Sequence, residues 1–142
     1  MASLSRSAVI QAPVERLFEY VSDPEKLPEW LPSMVEVRKV MGSGEGQQYE
    51  WTYKMIGLLL KGQSTVIEYV PSKCAVHQSI GMIRSMWTIG VEPHAEGSRL
   101  TIFVEYEVPV PVLGRLAERV AVNRDARDFA LAFENVKETL EN

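Results

Sequence analysis

The sequence predicts an α+β domain in which a curved, seven-stranded antiparallel sheet, two short helices and a long C-terminal helix enclose an apolar space. Three observations point there. Six consecutive segments between Met34 and Val108 alternate apolar and polar residues, the period of a half-buried strand. Ahead of them, one strand is followed by two short helical segments broken by prolines. Behind them, a proline-free stretch from Leu113 to Leu140 repeats apolar residues at helical spacing.

The first strand is expected over 5–11, with Val9 and Ile10 as its apolar pair, and Ala12-Pro13 ends it. Pro13 suits the first turn of a helix, where its missing N–H costs nothing. Val14, Leu17, Phe18 and Val21 then set one apolar stripe on a helix over 13–21. Asp23-Pro24 stops that helix, and Pro24 opens a second, ragged one that reaches Trp30 or Leu31. Val35, Val37 and Val40-Met41 mark the next strand, and Gly42, Gly44 and Gly46 turn the chain. Tyr49, Trp51, Tyr53 and Met55 alternate with Glu50, Thr52 and Lys54. After Gly57 comes a strand over 62–70, turned by Pro71-Ser72. Cys74, Val76, Gln78 and Ile80 alternate with Ala75, His77 and Ser79, the first set being the more apolar. A strand over 86–91 carries Trp87 and Ile89. In the last, Leu100, Ile102, Val104, Tyr106 and Val108 alternate with Thr101, Phe103, Glu105 and Glu107. Joints this short require antiparallel pairing, because parallel strands need long crossovers. The final helix, over 113–140, would be roughly 40 Å long at 1.5 Å per residue. Its polar stretch 123–128 reads as a bend or a solvent-facing section.

At 142 residues the chain is expected to be a single domain over 1–142. A net charge of −4 with scattered cations argues against nucleic-acid binding. One cysteine, Cys74, cannot form an internal disulfide, which fits a reducing, cytoplasmic setting. No signal peptide is read at the N-terminus. The longest apolar run, around Leu58-Leu59-Leu60, is far below the roughly 20 residues that span a bilayer, so stable membrane insertion is not expected.

Two distant histidines and one cysteine give no metal-ligand spacing, so no metal is expected. The three glycines at 42, 44 and 46 join two strands and precede no helix, which is not a phosphate loop. No cofactor is expected, and no catalytic residue is assigned. His77 is read on the face opposite the more apolar one, and His94 in a solvated turn. Glu50, Glu68, Glu105 and Glu107 read as the outer face of the sheet. Cys74 reads as a small buried apolar residue.

The opening segment SAVIQAPVERLFEYVSDPEKLPEW, residues 7–30, resembles the start of the START/Bet v 1-like (SRPBCC) superfamily, in its polyketide cyclase/dehydrase and lipid-transport branch. Met86-Trp87-Thr88-Ile89 and Gly97-Ser98-Arg99-Leu100-Thr101 resemble that superfamily's penultimate and last strands, so the likeness covers essentially the whole chain. The resemblance implies the helix-grip fold, with a cavity between sheet and long helix. It further implies that three connections ring the cavity mouth, and all three are apolar in this chain. The candidate cavity residues are Trp51, Tyr53, Val66, Trp87, Ile89, Ile102, Val104 and Tyr106 on strands, with Phe129 and Phe133 on the helix. The candidate mouth residues are Ile56, Leu58, Leu59, Met82, Val110 and Leu113.

The favoured reading is binding or transport of a small hydrophobic partner molecule, lipid-like or polyketide-like. Two alternatives stay open. One is a polyketide cyclase/dehydrase-type enzyme, which needs an ionisable side chain in the cavity. The other is an interaction module whose apolar rim binds a partner chain or forms a homodimer.

Overall fold

A computed structural model describes residues 2–107 and 115–141, with side chains described for 2–107 and 123–141. β1 (Ala2–Ile10) leads into α1 (Val14–Ser22), a 3-10 turn (Pro24–Lys26) and α2 (Leu27–Trp30). Six strands follow: β2 (Met34–Met41), β3 (Gln48–Met55), β4 (Leu58–Val70), β5 (Cys74–Gly81), β6 (Ser85–His94) and β7 (Gly97–Tyr106). The long helix is α3 (Arg115–Leu140).

The strands form one antiparallel sheet in the order β1-β7-β6-β5-β4-β3-β2, so the first strand closes against the last. On β7 the period of two is clean: Ser98, Leu100, Ile102, Val104 and Tyr106 are buried, while the residues between them are exposed or half-buried. On β3 the same logic buries Tyr49, Trp51, Tyr53 and Met55. α1 buries Leu17, Phe18 and Val21, the stripe its spacing predicts. The Asp23 carboxylate accepts from the Glu25 N–H at 3.0 Å and opens the 3-10 turn.

α3 runs unbroken through the polar stretch 123–128. Among its described side chains, Asp125, Phe129, Ala132, Phe133, Val136 and Leu140 are buried, a spacing that follows one helical face. Hydrogen bonds with other elements help fix the helix. The Ser33 N–H donates to Asp128 Oδ2 at 3.1 Å, and the Asn135 amide donates to the Trp30 carbonyl at 3.2 Å. Near the C-terminal end, Arg16 Nη1 donates to the Leu140 carbonyl at 2.8 Å and the Gln11 N–H to Glu141 Oε2 at 2.9 Å.

Three expectations are corrected. First, Leu58-Leu59-Leu60 belongs to β4 and not to a loop: Met55 pairs with Leu58 across a two-residue turn at Ile56-Gly57. Both turn residues have positive φ (49° and 77°), which lets the tight turn follow the twist of its strands. Second, β5 presents its other face inward. Ala75, His77 and Ser79 are buried, whereas Val76 is half-buried and Gln78 and Ile80 are exposed. Neighbouring strands already carry the aromatic bulk of the core, so the small and polar set of β5 fits beneath it. Third, Cys74 is half-buried on the outer side, with its thiol donating to Glu68 Oε2 at 3.4 Å.

Candidate functional site: a cavity with polar poles

Between the sheet and α3 lies a cavity of about 70 Å³. On this measure one water takes roughly 10–15 Å³, so the space suits about five waters or a slender molecule of about ten heavy atoms. Its walls are mostly apolar: Leu4, Met34, Trp51, Met55, Trp87, Ile89, Val104 and Phe129 among them. Trp87 and Phe129 meet at 6.0 Å between ring centroids, which closes one side.

Of the sequence-derived cavity residues, Trp51, Tyr53, Trp87, Ile89, Val104, Tyr106 and Phe129 line this space. Val66, Ile102 and Phe133 do not: they are buried in the packed interior beyond it. Ile102 and Phe133 lie further along β7 and α3, and Phe133 is held by Phe129 (5.7 Å) and by the Arg6 guanidinium (5.9 Å from the ring centre). Val66 shares a cross-strand row with His77, which does line the cavity, and sits next to the register shift of β4. Among the mouth residues, Leu58, Leu59 and Met82 are exposed and Ile56 is half-buried against the core. None of these four lines the cavity; Ile83 does, beside Met82. Val110 and Leu113 lie outside the described residues.

The continuous register of β3 to β7 stacks inward side chains into rows. One row reads Tyr49–Ser64–Ser79–Ser85–Tyr106, a hydroxyl from each of five strands. All five line the cavity. Neighbouring members lie about 4.8 Å apart from strand to strand, and the row is hydrogen-bonded where it is deepest. Ser64 and Ser79 hydroxyls are 2.5 Å apart, and the Trp51 indole N–H donates to Ser64 at 3.0 Å. Tyr49 reaches His77 Nδ1 at 2.7 Å. Sequence reading missed this row because each member's neighbour sits on a different strand.

His77 is 3% exposed and its Nε2 has no hydrogen-bond partner among the described residues. Burial pushes its pKa down to about 4, so the imidazole is neutral near pH 7. At the far end of the row, Asp125 of α3 is 8% exposed and faces Tyr53 and Tyr106. Burial lifts its carboxyl to about 6; the two phenols oppose that rise and the nearby Asp128 charge adds to it. Tyr53 approaches Asp125 at 3.5 Å. The Tyr106 hydroxyl lies near enough to bias Asp125's protonation, yet it has no partner at hydrogen-bond geometry among the described residues. Burial first, then the Asp125 charge, drives the Tyr53 and Tyr106 phenols upward, so both stay protonated. The signal that could have found Asp125 is the helical repeat: counting back four residues from Phe129 lands on it.

A curved antiparallel sheet gripping a long helix over an apolar cavity defines the helix-grip class. The chain matches the family described as polyketide cyclase/dehydrase and lipid transport over residues 1–141, and it belongs to that family. No curated protein matches its sequence significantly. Among solved structures it is similar to TTHA0849 from Thermus thermophilus, with a TM-score of 0.83 at 20% identity, covering 98% of this chain and 97% of that one. It is also similar to the di-domain aromatase/cyclase StfQ of the steffimycin biosynthetic pathway (TM-score 0.77, 16% identity, 98% of this chain and 50% of that one). A third similar structure is the Zhui aromatase/cyclase from Streptomyces sp. R1128 (TM-score 0.71, 14% identity, 97% and 95%). At these identities the likeness establishes the shared fold.

Proposed function

We propose that the chain binds a small, largely apolar molecule in the cavity between sheet and α3, acting as a carrier or receptor for it. The observation that carries this reading is a mostly apolar cavity with a few converging polar groups, the usual make-up of a small-molecule site. Membership of a family described by cyclase/dehydrase and lipid-transport activities supports it. The test is native mass spectrometry of gently purified protein, with solvent extraction of whatever it holds, alongside thermal unfolding with small apolar additives. A bound neutral mass, or an additive that raises the unfolding temperature, is expected. Protein that carries no mass and gains nothing from any additive would end the reading.

A second reading, acid–base catalysis of the cyclase/dehydrase type, draws on Asp125 and His77 facing one cavity. Such chemistry needs a proton removed beside a carbonyl and returned elsewhere, and a carboxyl near pKa 6 is poised for that exchange. In D2O, the enzyme reading expects deuterium uptake at the α-carbon of a bound ketone, slowed at least tenfold by Asp125→Asn. Equal uptake with and without that carboxyl rejects Asp125 as the base.

A further inference from the structure

We infer that the cavity selects an uncharged ligand bearing a carbonyl-type acceptor at one end and a hydroxyl at the other, the first docking on His77 Nε2 and the second between Tyr106 and Asp125. This inference rests on the binding reading above and specifies its ligand class.

The His77 end follows from donor accounting. The Trp51 indole can only donate, so Ser64 must accept from it. Tyr49 contacts His77 Nδ1 at 2.7 Å, its one side-chain partner at hydrogen-bond geometry among the described residues. If Tyr49 donates to Nδ1, its hydrogen is used and the imidazole keeps one buried unmet donor, the Nε2 N–H. If Nδ1 donates to Tyr49 instead, two groups are stranded among the described residues, the Tyr49 hydrogen and the Nε2 lone pair. Unmet buried groups are costly, so the first arrangement wins. His77 lines the cavity, and its remaining N–H calls for an acceptor.

At the opposite pole the unmet group is the Tyr106 hydroxyl, 4% exposed, beside the Asp125 carboxylate. A donor and an acceptor side by side match a ligand hydroxyl, which can accept from one and donate to the other. Charge supplies the third element. The described lining contains two aspartates, Asp125 and Asp128, and no lysine or arginine. A carboxylate-bearing ligand would therefore enter a low-dielectric space already negative and find no described counter-ion.

The test uses a set of single-ring probes near the cavity's capacity: ethylbenzene, acetophenone, 4-ethylphenol, 4-hydroxyacetophenone and benzoate, each titrated by NMR into the full chain at pH 7. Ethylbenzene reports on the apolar cavity alone. Acetophenone should bind about 2- to 10-fold tighter than ethylbenzene for its one added hydrogen bond, and 4-ethylphenol at least as much tighter for its two. The molecule carrying both groups should be tightest, and benzoate at least tenfold weaker than acetophenone. His77→Leu should abolish the acetophenone-over-ethylbenzene ratio and spare the phenol ratio; Tyr106→Phe should lower the phenol ratio and spare the acetophenone one. Each ratio is internal to one protein, so a loss of stability does not mimic it, and the wild-type ranking stands even if a variant fails to fold. Ethylbenzene binding without the ranking, or benzoate binding as well as acetophenone, overturns the inference and leaves the binding reading intact. Failure of every probe, ethylbenzene included, overturns both.

Discussion

The Tyr49 phenol lies 2.7 Å from Nδ1 of His77, and both side chains are buried on neighbouring rows of the sheet's inner face. Their rings also meet edge-on, 5.8 Å between centroids. The contact joins β3 to β5 across the intervening β4, and it gives a buried polar ring a defined orientation.

Tyr49→Phe removes the partner of Nδ1 while preserving ring volume. A buried acceptor left unmet costs about 1–3 kcal/mol, so urea unfolding should show a loss of that size. In combination with His77→Leu the loss should be smaller than the sum of the two single effects, because the pair is one interaction.

The two buried ionisable groups pull stability in opposite directions with pH. Between about pH 4 and 6.5 unfolded His77 holds a proton that the native imidazole lacks, so its contribution falls as the solution is acidified. Between about pH 4 and 6 native Asp125 holds a proton that the unfolded carboxyl lacks, so its contribution rises on acidification. Each is worth at most roughly 3 kcal/mol, and over this window they largely cancel. Asp125→Asn should therefore expose a loss of stability toward pH 4, and His77→Leu a gain. Chemical denaturation at pH 4.5 and 6.5 reads both slopes; parallel pH profiles for the two variants would contradict the opposition.

A methyl group at Gly62 would collide with the Trp51 ring and the Ile80 carbonyl. Backbone on one side leaves the indole as the only part able to yield. Gly62→Ala should cost about 1–3 kcal/mol as overpacking, shift tryptophan emission, and break the Trp51–Ser64 hydrogen bond. An unchanged midpoint in urea would show that the sheet relaxes instead.

Asp128 ties α3 to the turn after α2 through the Ser33 N–H. Asp128→Ala should lower stability by about 1–2 kcal/mol, the scale of a hydrogen bond to a charged acceptor. Asp128→Asn keeps an acceptor oxygen and should recover at least half. Hydrogen exchange at the Ser33 amide distinguishes this local tie from a general loss, since it should speed up more than amides at the centre of β7.

The fold is legible in the sequence because its evidence is local. The alternation Leu100 to Tyr106, the stripe Leu17-Phe18-Val21 and the repeat Phe129-Phe133-Val136 each lie within one element, and each buries the face it implies. The polar side of the cavity is not legible, for a physical reason. On β5 the more hydrophobic set, Val76 and Ile80 included, faces outward, so hydrophobicity alone chooses the wrong face. His77 is tolerated inside because Tyr49, two strands away on β3, satisfies one of its nitrogens. Asp125 looks like part of a solvated run from Asn123 to Asp128 until the phase of α3 is known. Leu58 to Leu60 lacks alternation and has no asparagine or aspartate in its turn, which hides a hairpin whose left-handed residues are Ile56 and Gly57.

The hydroxyl row takes one residue from each of five strands, so no single hairpin contains it. It comes into being only when pairings spanning residues 49 to 106 are all in register. Recognition is therefore tied to cooperative folding of the whole sheet, and a ligand would act as a clasp on that transition, adding RT ln(1 + [L]/Kd) to global stability. A one-residue slip at any one of the four pairings would break the row and turn buried side chains outward together. On the binding reading, weakened binding would therefore accompany any imperfectly assembled sheet.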